Sequence, residues 1–116
     1  QIQQVFVNML LNAMQAMPEG GTVTVETRVG GDTKELSRYL SVYISDTGGG
    51  IPREDLPKIF DPFFTTKPEG TGLGLSIAHK ILEQHGAHIE IRSRIGQGTM
   101  FIIRFPIDGV EKHVPV

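Results

Sequence analysis

Residues 61–76, DPFFTTKPEGTGLGLS, constrain the fold most strongly, because they run from a proline-broken loop into the glycine-rich start of a helix. Gly70, Gly72 and Gly74 alternate with other residues, and the apolar helical pattern that follows stops at Gly86. Glycine lets backbone N–H groups approach a ligand, and a helix N-terminus adds unpaired donors and partial positive charge. The stretch therefore indicates either an anion site, most often for phosphate, or an ordinary loop before a core helix.

Length and composition limit the other possibilities. The 116 residues suffice for one compact domain, which we assign to residues 1–107, with residues 108–116 as a frayed tail. A formal net charge of -2 provides no basic field for nucleic acid, and the absence of cysteine excludes disulfides and thiolate metal sites. No apolar run approaches the roughly 20 residues that span a membrane. Since the chain starts at Gln1 inside a helical pattern, we expect it to be one domain of a longer protein. Its sequence does not exclude a membrane anchor elsewhere in that protein.

The first predicted element is a helix over residues 1–17, with enough apolar residues to predict that it is largely buried. Its exception is a stripe of amides on one side, spaced four, four and three residues apart: Gln4, Asn8, Asn12 and Gln15. Asparagine competes for backbone hydrogen bonds inside a helix, and buried amides need partners. Each amide therefore either satisfies nearby backbone or faces a polar ligand, where its oxygen can meet a metal ion.

Alternating patterns predict the strands over residues 22–29, 39–46, 88–94 and 99–107. Residues 30–37 are predicted to be a polar loop, residues 53–60 a short helix, and residues 95–98 a hairpin connection. Residues 61–70, with two prolines, are predicted to be a mobile lid. The element order is helix, two strands, short helix and lid, helix, two strands. This order predicts an α+β fold with the helices on one face of a mixed sheet.

Asp46 is in phase with the apolar residues Val42 and Ile44, so strand geometry directs its carboxylate toward the core side. A carboxylate there is costly unless it is hydrogen-bonded or paired, so Asp46 either caps the next turn or belongs to a site. Gly48 and Gly50 follow within a run of three glycines, which permits a tight backbone path beside a flat ligand. The run does not fit a dinucleotide motif, and the chain has no Walker A pattern.

A purine nucleotide would use all of these features. Asp46 can accept a hydrogen bond from an exocyclic amine, while the glycine-rich helix start and Lys67 can hold phosphates. An amide oxygen of Asn12 can complete a Mg²⁺ shell that otherwise consists of phosphate oxygens and water. The joint order of the features is a much stronger indication than any one of them.

Four segments then resemble the sequence boxes of the two-component sensor histidine kinases. Residues 8–13 (NMLLNA) resemble the N-box, and residues 46–52 (DTGGGIP) the first glycine box. Residues 60–67 (FDPFFTTK) resemble the F-box, and residues 70–75 (GTGLGL) the second glycine box. The segments follow the family's order and cover nearly all of the chain. The wider group of ATPases includes gyrase, Hsp90 and MutL.

The resemblance implies a two-layer α/β sandwich, the Bergerat ATP-binding fold, with helices on one face of a mixed, mostly antiparallel sheet and a flexible lid. It implies that Asp46 binds adenine, that Asn12 holds Mg²⁺, and that Asn8 is a catalytic or metal-shell residue. The other positions that the boxes assign to ATP are Gly48, Gly50, Ile51, Phe60, Thr66, Gly70, Thr71, Gly72, Leu73, Gly74 and Leu75. Lys67 as a catalytic phosphate contact is an electrostatic inference.

The implied activity is transfer of the γ-phosphate of Mg-ATP to a histidine on a separate dimerisation domain of the same parent protein, with a response regulator downstream. The resemblance implies a cytoplasmic domain without membrane contact. In this family an acidic residue usually follows the acceptor histidine. The chain has four histidines, and none of them is followed by an acidic residue: His79, His85, His88 and His113. The acceptor histidine is therefore expected to lie outside this chain.

Two departures from the family pattern keep alternatives open. Gln15 stands where many relatives carry a basic residue, which leaves less positive charge for the phosphates. Asn8 stands where hydrolytic relatives carry a glutamate base, and an amide cannot accept a proton, which favours phosphoryl transfer over hydrolysis. The alternatives are an ATP-driven conformational switch, a catalytically silent nucleotide-binding module and a serine kinase of the anti-sigma type.

Overall fold

The structure, a computed structural model, describes residues 1–32, 37–62, 64 and 74–107. The elements within these ranges are α1 (Ile2–Gln15), β1 (Val23–Asp32), β2 (Ser37–Asp46), the short 3-10 helix η1 (Arg53–Lys58), α2 (Gly74–Gln84), β3 (His88–Arg94) and β4 (Gly98–Pro106). The predicted tail, residues 108–116, lies outside the described residues, as does most of the predicted lid. Gly86 ends α2 with a φ of +70°, as the sequence predicts.

The four strands form one sheet in the order β1-β2-β4-β3, and every neighbouring pair is antiparallel. The expectation of a mixed sheet is therefore wrong for the described strands. The chain leaves β2, crosses through η1 and α2, and returns as β3 at the outer side of β4. Since β4 lies between β2 and β3, these two strands run in the same direction without being neighbours.

The first hairpin extends beyond the predicted strand ends. Residues 30–37 are predicted to be a loop, but Gly30 pairs with Tyr39 and Asp32 pairs with Ser37. The prediction of a loop is wrong for these paired residues, because ladder hydrogen bonds need only backbone groups and continue where side chains are polar or missing.

One face of α1 packs on the sheet, and the opposite face is open. Val5, Met9 and Ala13 are at most 2% exposed, and they contribute to a core shared with α2 and the inner face of the sheet. In contrast, Val7 is 49% exposed and Leu11 48%. The prediction of a largely buried helix is therefore wrong. Residues that are two positions apart in a helix are separated by about 200° around its axis. Val7 therefore points away from the face on which Val5 is buried.

A cluster of charged side chains lies on the face of the sheet opposite the helices. Glu90 on β3 accepts hydrogen bonds from Arg104 Nη1 at 3.0 Å and from Arg92 Nε at 2.8 Å. Ile102, which pairs with Glu90 in the register, is only 1% exposed on this face. Hydrogen bonds from Arg104 and then from Arg92 hold the pKa of the Glu90 carboxyl below its usual 4.5.

This cluster predicts a pH dependence of stability. Because the pKa of Glu90 is lower in the folded state, its contribution is present above the unfolded pKa and is lost as the pH falls through the folded pKa. We expect Glu90→Gln to lower the free energy of unfolding at pH 7, and the difference from wild type to vanish at pH values well below 4.5. Urea unfolding of wild type and variant, at pH 7 and at a pH well below 4.5, measures this difference in the free energy of unfolding. Glu19→Gln in the exposed turn after α1 is the control. A difference that is the same at both pH values would contradict the assignment.

Candidate functional site

A cavity of about 250 Å³ opens where α1, the loop after β2, η1, the start of α2 and the start of β4 meet. It brings together five of the predicted site residues, although they are far apart in the chain: Asn12, Asp46, Gly50, Ile51 and Leu75. Helix α1 and the β2 end approach each other because both pack their apolar residues into the same core.

Asp46 is the buried acid of this cavity, with an exposed fraction of 7%. It follows Ile44 on the inner face of β2, so the strand directs it under the helices rather than to solvent. Its Oδ1 accepts hydrogen bonds from the N–H of Gly48 at 2.9 Å and from the N–H of Thr99 at 3.3 Å. These bonds offset part of the cost of burying a charge. A carboxylate has more than two acceptor sites, so the same group can also accept from a ligand donor.

The glycine loop after Asp46 runs too close to its neighbours for larger residues. A Cβ on Gly48 would lie 2.6 Å from the carbonyl oxygen of Ala16 at the end of α1. A Cβ on Gly50, which has a φ of +82°, would overlap the carbonyl of Arg94. The carbonyl of Gly49 also accepts a hydrogen bond from Gly96 N–H at 2.9 Å, so the loop is held against the β3–β4 hairpin.

The amide stripe of α1 divides between two surroundings. Asn12 and Gln15 line the cavity, three positions apart on the helix. Asn8 is not among the cavity residues; its Nδ2 donates a hydrogen bond to the carbonyl oxygen of Gly74 at 3.1 Å. Asn8 therefore joins α1 to the first residue of α2, whose second residue, Leu75, lines the cavity.

The two aromatic residues of the F-box segment that the structure describes have different positions. Phe60 does not line the cavity; its ring stacks on the ring of His79 in α2, with centroids 4.6 Å apart. Phe64 lines the cavity instead. Among the other histidines, the Nδ1 of His85 lies 2.8 Å from the carbonyl oxygen of Ile81, one turn earlier in α2.

Six of the predicted site residues belong to parts of the chain outside the described ranges. The positions that lie outside the described residues are Thr66, Lys67, Gly70, Thr71, Gly72 and Leu73. Within the ranges that the structure describes, no three His, Cys, Asp or Glu side chains are grouped as they would be around a metal ion. None of the helices in those ranges has both the length and the apolar character to cross a membrane.

Further cavity residues were not selected from the sequence: Ala16, Gly49, Pro52, Asp55, Ile59, Phe64 and Thr99. Thr99 had a detectable signal, because it is a polar residue in phase with the buried Phe101 and Ile103 at the start of β4. The same kind of signal selected Asp46. Gly49, Pro52 and Phe64 lie within the sequence boxes, although they were not assigned to ATP individually. Ala16, Asp55 and Ile59 carry no pattern that separates a cavity residue from a loop or core residue.

Comparison with known proteins supports the resemblance of the four sequence boxes. Residues 1–109 match the family described as histidine kinase-, DNA gyrase B- and HSP90-like ATPases. Sporulation kinase C of Bacillus subtilis is 38% identical over 107 residues, which make up 92% of this chain and 24% of that protein. The chain thus spans about a quarter of the length of this curated relative.

Solved structures give the same result for the fold. The nucleotide-free catalytic domain of the histidine kinase ThkA is 40% identical, with a TM-score of 0.74 over 90% of this chain and 65% of that one. Full-length ShkA in complex with AMPPNP is 27% identical, with a TM-score of 0.75 over 89% of this chain and 20% of that one. These likenesses confirm the predicted α+β sandwich with helices on one side of the sheet. The chain belongs to the family of histidine kinase-, DNA gyrase B- and HSP90-like ATPases, as a domain of the kind that forms the ATP-binding catalytic part of sensor histidine kinases.

Proposed function

We propose that this domain binds Mg-ATP in the cavity and transfers the γ-phosphate to a histidine on a separate dimerisation domain of its parent protein. One observation carries the proposal. The buried carboxylate of Asp46, held by two backbone N–H groups, lines the same cavity as the amide side chain of Asn12. A nucleotide needs both kinds of group, an acceptor for the base amine and an oxygen ligand near the phosphates.

The base end of the proposed site is formed by Asp46 and the glycine loop. Oδ1 of Asp46 already serves two backbone donors, so the carboxylate is fixed before a ligand arrives. Such a fixed acceptor favours a base with an exocyclic amine over one with a carbonyl at the same position. The absence of a side chain at Gly50 leaves the loop backbone close against the hairpin, with Ile51 available as an apolar surface for a ring.

The phosphate end is formed by α1 and the start of α2. Asn12 and Gln15 line the cavity, and amide oxygens are suitable ligands for Mg²⁺, which usually takes one or two protein ligands. The ion, when bound, would neutralise charge on the phosphates. The N-terminus of α2 adds backbone N–H groups beside Leu75. Contacts from Thr66 and residues 70–73 are proposed from the sequence boxes alone, and a phosphate contact from Lys67 is proposed from its positive charge.

Phosphoryl transfer is favoured over hydrolysis at this site. A water-activating base on α1 would have to accept a proton, and Asn8 carries an amide whose Nδ2 is engaged with the backbone of α2. The domain's own contribution is then to hold the nucleotide and present its terminal phosphate. The acceptor histidine, the dimerisation domain and a downstream response regulator are proposed partners from outside this chain, in the cytoplasm where ATP is supplied.

Calorimetric titration tests the binding part of this proposal. We expect ATP to bind in the presence of Mg²⁺ with at least about tenfold higher affinity than GTP, because the carboxylate of Asp46 accepts a hydrogen bond from an amine and repels a carbonyl oxygen. Without Mg²⁺ the affinity for ATP should fall. No measurable binding, or equal binding of ATP and GTP, would contradict the proposed pocket.

A second measurement separates transfer from binding alone. The parent protein's dimerisation domain is incubated with this domain and γ-labelled ATP, and acid-labile label on the acceptor histidine is followed. Label on histidine supports the kinase function. Mg-dependent ATP binding without any label would instead identify a catalytically silent nucleotide-binding module, and rapid release of free phosphate would identify a hydrolytic switch.

A further inference from the structure

Three polar side chains form a row across the sheet at the cavity. In the register, Thr99 of β4 pairs with Asp46 of β2 on one side and with Ser93 of β3 on the other. Two residues further into the sheet, the equivalent row is apolar and belongs to the core: Ile44, Phe101 and Ile91. Since residues two apart in a strand share a face, the polar row lies on the same inner face as the core row.

Ser93 lies behind the cavity wall and contacts three residues, two of which belong to that wall. Its Oγ accepts a hydrogen bond from the N–H of Ile51 at 2.7 Å, which holds the glycine loop to β3. The same Oγ lies 3.2 Å from the carbonyl oxygen of Gly98, to which it donates, and 3.0 Å from Oγ1 of Thr99. Neither Ser93 nor Gly98 lines the cavity, whereas Ile51 and Thr99 do.

The two hydroxyl groups can satisfy all these contacts in only one arrangement. A carbonyl oxygen accepts and never donates, so the single hydroxyl hydrogen of Ser93 must go to Gly98. The hydrogen bond between the two hydroxyls then requires Thr99 to donate to Ser93. The hydrogen of Thr99 is thereby directed away from the cavity, and its oxygen keeps only lone pairs for other partners.

The result is a wall of acceptors beside the base position. Asp46 is a carboxylate, and Thr99 Oγ1 next to it can only accept while Ser93 takes its hydrogen. An exocyclic amine can donate hydrogen bonds to these acceptors. A ring carbonyl at the same place has only lone pairs, so the acceptor oxygens repel it. Without Ser93, the Thr99 hydroxyl would be able to turn and donate to that carbonyl.

We propose that Ser93 is a positioning residue that, through Thr99, sets the hydrogen-bond polarity of the base pocket and thereby its preference for a 6-amino purine over a 6-oxo purine. The inference rests on the proposed binding of ATP at this cavity. It assigns to Ser93 no contact with the nucleotide. Its effect reaches the base through the direction of one hydroxyl group.

The test compares the affinities of ATP and inosine triphosphate, which has a carbonyl where ATP has the amine, by calorimetry with Mg²⁺. Ser93→Ala should lower the ratio of ATP affinity to inosine triphosphate affinity by about tenfold, the equivalent of one hydrogen bond changed from repulsion to attraction. The ratio is the informative quantity, because loosening of the loop at Ile51 would weaken both nucleotides together. Ser45→Ala, which removes a hydroxyl from the outer face of β2, is the matched control and should leave the ratio unchanged.

A double-mutant cycle shows whether Ser93 acts through Thr99. In a Thr99→Val background, Ser93→Ala should cause no further change in the ratio, because the hydroxyl that Ser93 directs has gone. An unchanged ratio in Ser93→Ala, or an equal change in both backgrounds, would overturn the inference while the proposed function stands. Wild-type protein that binds neither nucleotide would overturn the proposed function, and the inference with it.

Discussion

Replacement of Asp46 by asparagine should weaken ATP binding by roughly 30- to 150-fold, which corresponds to about 2–3 kcal/mol. Asparagine has a single side-chain acceptor atom, and in Asp46 one oxygen already accepts from the N–H groups of Gly48 and Thr99. If the amide oxygen keeps these bonds, its NH₂ group faces the base amine, so that two donors meet. If the amide is reversed, the two backbone donors lose their acceptor. Either orientation leaves a buried polar group unpaired.

Calorimetry of ATP with Mg²⁺ measures this loss, and urea unfolding shows whether the variant stays folded. Glu90→Gln is the matched control, because it makes the same change from carboxylate to amide on the opposite face of the sheet. It should bind ATP like the wild type at pH 7. Equal ATP affinity of Asp46→Asn and wild type would remove Asp46 from the site.

Two variants at Asn12 should change the Mg²⁺ dependence of ATP binding in opposite directions. Asn12→Asp adds a negative charge at the phosphate end, so ATP alone should be repelled while the metal complex is tolerated. We expect the ratio of ATP affinities with and without Mg²⁺ to rise by at least about tenfold, since two like charges about 10 Å apart at an effective dielectric constant of about 20 already repel by about 1.5 kcal/mol. Asn12→Leu, of similar size but without an oxygen, should lower the ratio toward one.

Gln4→Glu is the control for the charge, because it places a new carboxylate on an exposed part of the same helix, about two turns before Asn12. Its effect on the ratio should be small, since exposed charges beyond a Debye length are largely screened at physiological salt. A Mg²⁺ dependence that is unchanged in both Asn12 variants would refute the assigned role of this amide.

Local patterns predicted which helices and strands form better than they predicted the residues at which these elements begin and end. The period of two in residues 88–94 and the helical period before Gly86 identify β3 and α2 with nearly the observed bounds. The hairpin of β1 and β2 continues into residues that were predicted to be a loop, because its backbone pairing does not depend on side chains. The exposed face of α1 was also missed, since apolar residues all around a helix do not show which side has a neighbour.

The sequence by itself determined the type of site, because residue chemistry and spacing along the chain are local properties. It placed Asp46 in phase with core residues, put amides along one side of α1, and ordered the glycine boxes. Only the tertiary structure decided which side chains meet. The strand register aligns Ser93, Thr99 and Asp46, and helix packing turns Asn8 toward Gly74 while Asn12 stays at the cavity. These contacts join residues that are distant in sequence, so they depend on how the core packs, which no pattern along the chain expresses.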